Sequence, residues 1–441
     1  MSHRIVTVMA ILATGVGMAA CEHWSGAKED PPLPGQRISV VAHERTLKPH
    51  PGAPIAIVLP RPRRNESWPQ AGGYAQHAMH HLEIAESLHP VWRGDGGRRV
   101  GARDRLLASP IVVAGRIYGV DANAMLWAID TQSGARTWSV SLRPEGEESD
   151  TLLAGGIAHE DGRLFVTTGW GEVVALRIDT GAEIWRRSVG APVRAAPTVS
   201  GGRVFVLNKE NDVRALVAEN GTELWRHQGL AETTTLLGAA APAVEGSTVV
   251  VALSSGELIA LRAENGNQLW SDSLAAVRRI GAVANLTDIL ALPVIDRGRV
   301  YAVGHSGVMV AIDLRSGRRL WEVEMGGAHP PWIAGDFLFV LTNDGDLVAV
   351  EARNGRVAWV SELPRWEDPE DLTGRIHWVG PVLAGDRLIV AGSHEKVMTV
   401  SPYTGALLGE ETMSAKVTLA PVVADGTLYF LTDDGDLVAY R

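Results

Sequence analysis

The sequence predicts an all-β chain: an eight-bladed β-propeller of four-stranded antiparallel blades, closed by the N-terminal strand joining the last blade. Three observations predict it. A unit of roughly 40 to 50 residues repeats along the chain, the period of propeller blades and related arrays. A Gly-x-x-x-Trp signature recurs at six places with one spacing. The last unit stops before its Trp-bearing strand, and a matching piece precedes the first complete unit.

Read in order, residues 1–20 have the parts of an export signal. His3 and Arg4 precede an apolar run from Ile5 to Met18, followed by Ala19, Ala20 and Cys21. The run falls short of the roughly 20 apolar residues that a spanning helix needs. Cys21 is the only cysteine, so an internal disulfide is excluded. Met18-Ala19-Ala20-Cys21 resembles a bacterial lipobox with Met in the usual Leu position, which implies lipidation at Cys21. The other reading is ordinary cleavage near Ala20 with a free thiol left over. Glu22 follows Cys21 where an Asp would signal inner-membrane retention, and this favours the outer membrane.

Residues 21–82 read as a lipid-anchored, Pro-rich tether and a pre-propeller segment. Pro31, Pro32, Pro34, Pro49, Pro51, Pro54, Pro60 and Pro62 favour extended chain over packed core. Arg37–Val41 is a candidate short strand within it. The formal charge is −10, and removing the signal with its one Arg makes it −11. No basic stripe interrupts that acidity, which excludes nucleic acid as an expected partner.

Residues 83–441 are assigned to the propeller. Its clearest unit is Gly335–Val360, GDFLFVLTNDGDLVAVEARNGRVAWV, and Leu341–Ala349 nearly repeats at Leu431–Ala439. Asn-Asp-Gly and Asp-Asp-Gly supply the positive φ angles of tight hairpins. Phe337 to Leu341 is continuously apolar, as expected of strands buried on both faces between neighbouring sheets. Gly134, Gly181, Gly221, Gly266, Gly317 and Gly355 each stand four residues before a Trp: Trp138, Trp185, Trp225, Trp270, Trp321 and Trp359. Such tryptophans, one per unit, are expected to pack the seams between blades. Gly405 leads to Gly409, so the seventh copy has lost its Trp; Trp92 lies in the N-terminal piece. Ala128, Ala175, Ala215, Ala260, Ala311, Ala349, Thr399 and Ala439 mark eight equivalent strands; one irregular unit would leave seven. Prolines 110, 197, 242, 293, 381 and 421 each precede an apolar stretch, and proline belongs on an edge strand such as the one beside a propeller's channel.

No side-chain constellation points to catalysis or a metal. Asp344, Asp346, Asp433, Asp434 and Asp436 have hairpin spacing and not that of a calcium loop. His77, His80 and His81 lack an accompanying carboxylate–histidine motif and read as a solvated segment. His305 and Ser306 read as a hairpin turn.

The repeat, with a small residue and Pro at its start and Gly-x-x-x-Trp at its end, resembles the PQQ-type propeller repeat over roughly residues 83–441. Two families share it. Quinoprotein dehydrogenases hold pyrroloquinoline quinone and calcium in the channel, commonly beside a pair of adjacent cysteines. BamB-type outer-membrane assembly lipoproteins are non-enzymatic. The lipobox and Trp68-Pro69-Gln70-Ala71-Gly72-Gly73, similar to the pre-propeller segment of alphaproteobacterial members, favour the second. That resemblance implies a scaffold without cofactor, a single copy within a hetero-complex, held on the periplasmic face of the outer membrane. It also implies two loops that bind the periplasmic domains of the barrel-inserting subunit, BamA. On the first loop's Leu-x-Leu-Arg pattern, Leu236 matches the second Leu, while Thr234 and Leu237 replace the first Leu and the Arg. On the second loop's Asp-x-Asp pattern only Asp288 matches, and a turn or cap role explains it equally. The alternatives are a periplasmic quinoprotein and a scaffold for another envelope complex.

Overall fold

The computed structural model describes residues 47–97, 108–147, 155–230, 232, 235–274 and 287–441. Residues 1–20, Cys21, the expected strand at 37–41 and Thr234 lie outside them. Every regular element among the described residues is a strand.

Each repeat folds into four strands in up-and-down order. In blade 1 these are Ile111–Val113, Arg116–Val120, Met125–Asp130 and Arg136–Ser141, each antiparallel to the next. Blades 2 to 7 repeat the order over 156–188, 198–228, 243–273, 294–323, 332–362 and 378–412. Blade 8 takes Val422–Ala424, Thr427–Leu431 and Asp436–Tyr440 from the C-terminal end, and its fourth strand is Pro90–Asp95. The described residues thus form eight four-stranded sheets, plus one two-stranded ribbon, Trp366–Asp368 with Thr373–Arg375, in the connection between blades 6 and 7.

The first strands of neighbouring blades touch in sequence from blade 8 through blades 1 to 7, so these strands line the bore. Pro110, Pro197, Pro242, Pro293 and Pro421 stand directly before them. The second and third strands are buried almost throughout, as the continuous apolar runs require.

The Gly-x-x-x-Trp signature has a mechanical meaning. In each Trp blade the Trp sits opposite the marker alanine of the third strand, as in Ala175 with Trp185 and Ala260 with Trp270. Its ring tilts against an aromatic residue of the second strand in six blades, for example Phe205–Trp225 at 6.0 Å and Tyr301–Trp321 at 6.1 Å. The other face of the ring lies on the signature glycine of the next blade. A Cβ at Gly266 would stand 2.6 Å from the Trp225 ring, and one at Gly181 would stand 2.7 Å from Trp138. These glycines also hold φ near +70°. Both conditions exclude a side chain. Except at Trp138, whose indole nitrogen has no partner, the indole N–H then donates to the next blade: Trp225 to Ala263 O at 2.8 Å, Trp270 to Leu314 O at 2.7 Å. Covering such a ring contributes up to about 4–6 kcal/mol, an upper bound from its area.

Candidate functional site

Antiparallel blades separate their connections onto two faces. Turns between strands 1 and 2, and between 3 and 4, emerge on one; turns between strands 2 and 3, and the links to the next blade, emerge on the other. The two expected partner loops, 233–242 and 285–290, fall in the links between blades 3 and 4 and between blades 4 and 5; their described parts, 235–242 and 287–290, belong to the second face.

The structure brings Leu236 and Asp288 together. Asp288 Oδ1 accepts the Leu236 amide at 3.1 Å, and the Asp288 carbonyl accepts the amide of His305 in the adjacent turn at 3.2 Å. Asp288 is only 3% exposed. Burial pushes its carboxyl above the usual range, and the Leu236 amide opposes that rise. The Asp288 side chain therefore links the two loops across 52 residues of sequence, which is neither a local turn nor a helix cap. Leu237 is exposed, and so is Leu230 at the start of the same link, which motif reasoning missed because Leu230 stands outside the matched pattern. Beneath them Asn211 donates to Leu230 O at 2.6 Å and to Ser254 Oγ at 2.9 Å, while Thr287 Oγ1 donates to Ser254 O at 3.2 Å. These bonds fix Leu230 and Thr287 to the turns of blades 3 and 4. Beside them lies a shallow depression lined by Arg194, Lys209, Thr235, Ala239, Asp288 and Leu290. The surface is therefore preformed: apolar at Leu230 and Leu237, polar at its edge.

Other candidates separate. Ser306 Oγ donates to Leu274 O at 2.9 Å, not to His305, so the pair serves the turn as expected. Asp344 and Asp346 belong to blade 6 and Asp433, Asp434 and Asp436 to blade 8, with blade 7 between them. Among the described residues no group of three His, Cys, Asp or Glu side chains is disposed to hold a metal.

The histidine segment requires a correction. It is not solvated: His77 and His81 are buried, and residues 63–82 run round the inside of the bore. The contacts follow the blade order. Asn65 O accepts the Asp425 amide of blade 8 at 2.7 Å, and Trp68 exchanges two backbone bonds with Val112 of blade 1. Pro69 O accepts from His159 of blade 2, and Gln70 Oε1 from Val199 of blade 3 at 2.9 Å. Ala75 O and Gln76 O accept from Val244 of blade 4 and Ile295 of blade 5. His80 O accepts the Trp332 indole of blade 6 at 2.7 Å, and Leu82 bonds to Leu383 and Gly385 of blade 7. The circuit then shuts on itself, because Arg63 donates to His81 O and accepts from Glu83, both at 2.9 Å. His77 Nδ1 bonds to Pro293 O at 2.7 Å, and burial drives its pKa down to about 4. His80 is the half-buried member, 3.5 Å from Asp296.

This segment decides whether the channel suits a quinone. Trp68 bonds to blade 1 and stacks on Trp332 of blade 6 at 6.2 Å, so it reaches between blades that are not neighbours. Met79 and Leu82 pack in the same buried cluster. The chain's one cysteine, Cys21, supplies no adjacent pair. The residues present do not fit a channel-bound quinone.

Comparison with known proteins gives a consistent result. The family model described as outer membrane protein assembly factor BamB matches residues 141–361 and 364–441. A relative of that name from Salmonella typhimurium is 28% identical over 353 residues, 79% of this chain and 88% of its own. The crystal structure of BamB from Moraxella catarrhalis superposes with a TM-score of 0.68 at 20% identity, covering 80% of this chain and all of the other. A quinohemoprotein alcohol dehydrogenase from Comamonas testosteroni superposes with a TM-score of 0.66 at 15% identity, over 86% of this chain and 81% of its own. At such identities both superpositions speak for the fold alone.

Proposed function

Taking as premise that this chain belongs to the family of outer membrane protein assembly factor BamB, we propose that it is a non-catalytic scaffold of β-barrel assembly in the outer membrane. It binds the periplasmic domains of a BamA-like, barrel-inserting protein through the loops at 233–242 and 285–290. The observation that carries this reading is the Asp288–Leu236 bond, which locks the two loops together with Leu230 and Leu237 exposed beside it. A surface already fixed before binding avoids most of the ordering cost of association. Thr234, Leu236 and Leu237 line the contact, and Asp288 acts from beneath by holding Leu236. The chain enters the complex as one copy. Lipid on Cys21 holds it to the periplasmic face of the outer membrane, with the Pro-rich stretch as tether.

The quinoprotein reading gains no support from the bore, which Trp68 and Met79 help to fill. The test is a pull-down of the full-length tagged protein from detergent-solubilised native envelopes, with bound proteins identified by mass spectrometry. A large barrel protein with periplasmic repeat domains is expected, and Leu237→Arg is expected to lose it. A cytochrome or quinone recovered in place of the barrel would overturn the reading.

A further inference from the structure

We propose that residues 63–82 form a clasp, a closed ring of chain that ties the eight blades into one cooperative unit and makes the bore a protein core in place of a ligand chamber. This goes beyond the scaffold reading and holds whichever partner the loops dock.

The argument starts from the innermost strands. Each has one ladder partner, the second strand of its blade, so its other edge faces the bore. Buried edge N–H groups without acceptors are costly. The clasp supplies those acceptors. Val112, His159, Val199, Val244 and Ile295 donate their amides to it from the first strands of five successive blades, and Gly385 and Asp425, in the turns just after the first strands, do so from blades 7 and 8. Blade 6 uses the Trp332 indole. Nearly all of these bonds go to backbone carbonyls, so they depend on the path of the segment more than on its side chains.

That path depends on Gly72 and Gly73. Gln70 and Gly73 exchange backbone bonds at 3.2 and 2.9 Å, a tight fold between the contacts to blades 3 and 4. Gly72 and Gly73 have φ of 70° and 90°. A Cβ at Gly73 would lie 2.0 Å from the Met79 sulfur, and one at Gly72 would lie 2.8 Å from the His77 ring. The two glycines therefore let the first half of the ring close against the second, and a side chain there opens the circuit at its narrowest point.

Hydrogen exchange of the full-length chain, read by mass spectrometry, tests the clasp with Gly73→Val and with Gln70→Ala, the milder change. In the unaltered protein the amides of Val112, Val244, Ile295 and Asp425 should exchange as slowly as those of the buried second strands. In Gly73→Val they should speed up together, by about tenfold or more, including Asp425 and Ile295 in blades that residue 73 does not touch. Outer-strand amides such as Trp225 should be unchanged. Gln70→Ala should give the same pattern at smaller amplitude, and it carries the test if the valine variant does not fold. Acceleration confined to blades 3 and 4 would overturn the clasp, as would fast exchange at these amides in the unaltered protein. Saturable binding of pyrroloquinoline quinone with calcium that alters Trp68 and Trp332 fluorescence would overturn the filled bore.

Discussion

Seven of the eight seams in this propeller are built alike, and the eighth is not. From blade 8 round to blade 7, each seam sets a Trp on a glycine of the next blade: Trp92 on Gly134, Trp138 on Gly181, and so on to Trp359 on Gly405. Between blades 7 and 8 both halves are changed. Gly409 occupies the Trp position of blade 7, paired with Thr399 where other blades pair Trp with Ala. The glycine position of blade 8, four residues before Trp92, holds Leu88. The reason is topological. Blade 8 joins the two ends of the chain, so its third and fourth strands have no signature turn between them. His89 and Arg441 exchange two backbone bonds there instead, and Leu88 and Tyr440 pack against the core. A Trp on blade 7 would have no glycine to lie on. The difference teaches that the signature encodes the contact between blades, not the blade.

Breaking a regular seam should have the largest effect. Trp225→Ala should lose about 3–5 kcal/mol of stability, the usual range for a large aromatic deleted from a core, as measured by chemical denaturation. A loss below about 1 kcal/mol would mean that the seam is not where the ring holds.

Acid should separate the bore from the seams, since no Trp–Gly contact titrates. His77 has its pKa lowered from 6.5 to about 4 in the fold. The unfolded chain therefore binds a proton first, and stability is full above pH 6.5 and falls as pH drops towards 4. The loss through this group approaches about 3 kcal/mol. The stability loss between pH 7 and pH 4 should be smaller in His77→Asn by about this amount, the remaining slope coming from other histidines such as His329, also lowered by burial to about 4, while Trp225→Ala should keep the full slope.

The glycine half of the contact comes next. Gly266→Val places a Cβ against Trp225 at a positive φ. It should cost about 2 kcal/mol or more, of which about 1–2 is backbone strain. At the odd seam the glycine position already holds Leu88, and Gly409→Ala, at the vacant Trp position, meets only Thr399 Oγ1 at 3.4 Å and should stay within about 0.5 kcal/mol. Equal thermal shifts for the two variants would erase the distinction between the seams. Smallest of the stabilising terms is the link between the loops. Asp288→Ala should lose about 1 kcal/mol, while Asp288→Asn keeps an acceptor for Leu236 and sheds a buried charge, so it should match the parent in stability.

Seam chemistry was legible because it repeats: Gly-x-x-x-Trp at a fixed spacing names both partners, and prolines 110, 197, 242, 293 and 421 locate the bore. The route of residues 63–82 was not. Its contacts run from backbone amides to backbone carbonyls, which any residue type can make, and only the pair Gly72-Gly73 marked the place. His77 and His81 looked solvated because the mixed stretch around them carries no regular apolar period; their burial comes from the surrounding ring. Asp288 was found by its motif position, yet its burial depends on the turn of blade 5 above it, which no local pattern describes.

The central claim is that the loop face with Leu230 and Leu237 is the partner-binding face. Photo-crosslinking from single positions in native envelopes tests it most directly. One crosslinker replaces exposed Leu237 and another replaces Val58, which is 76% exposed and lies beside the Gly335 turn on the opposite face. The account predicts a crosslink to the barrel-inserting protein from 237 and none from 58. A crosslink from 58 alone, or none to any barrel protein from either position, would contradict it.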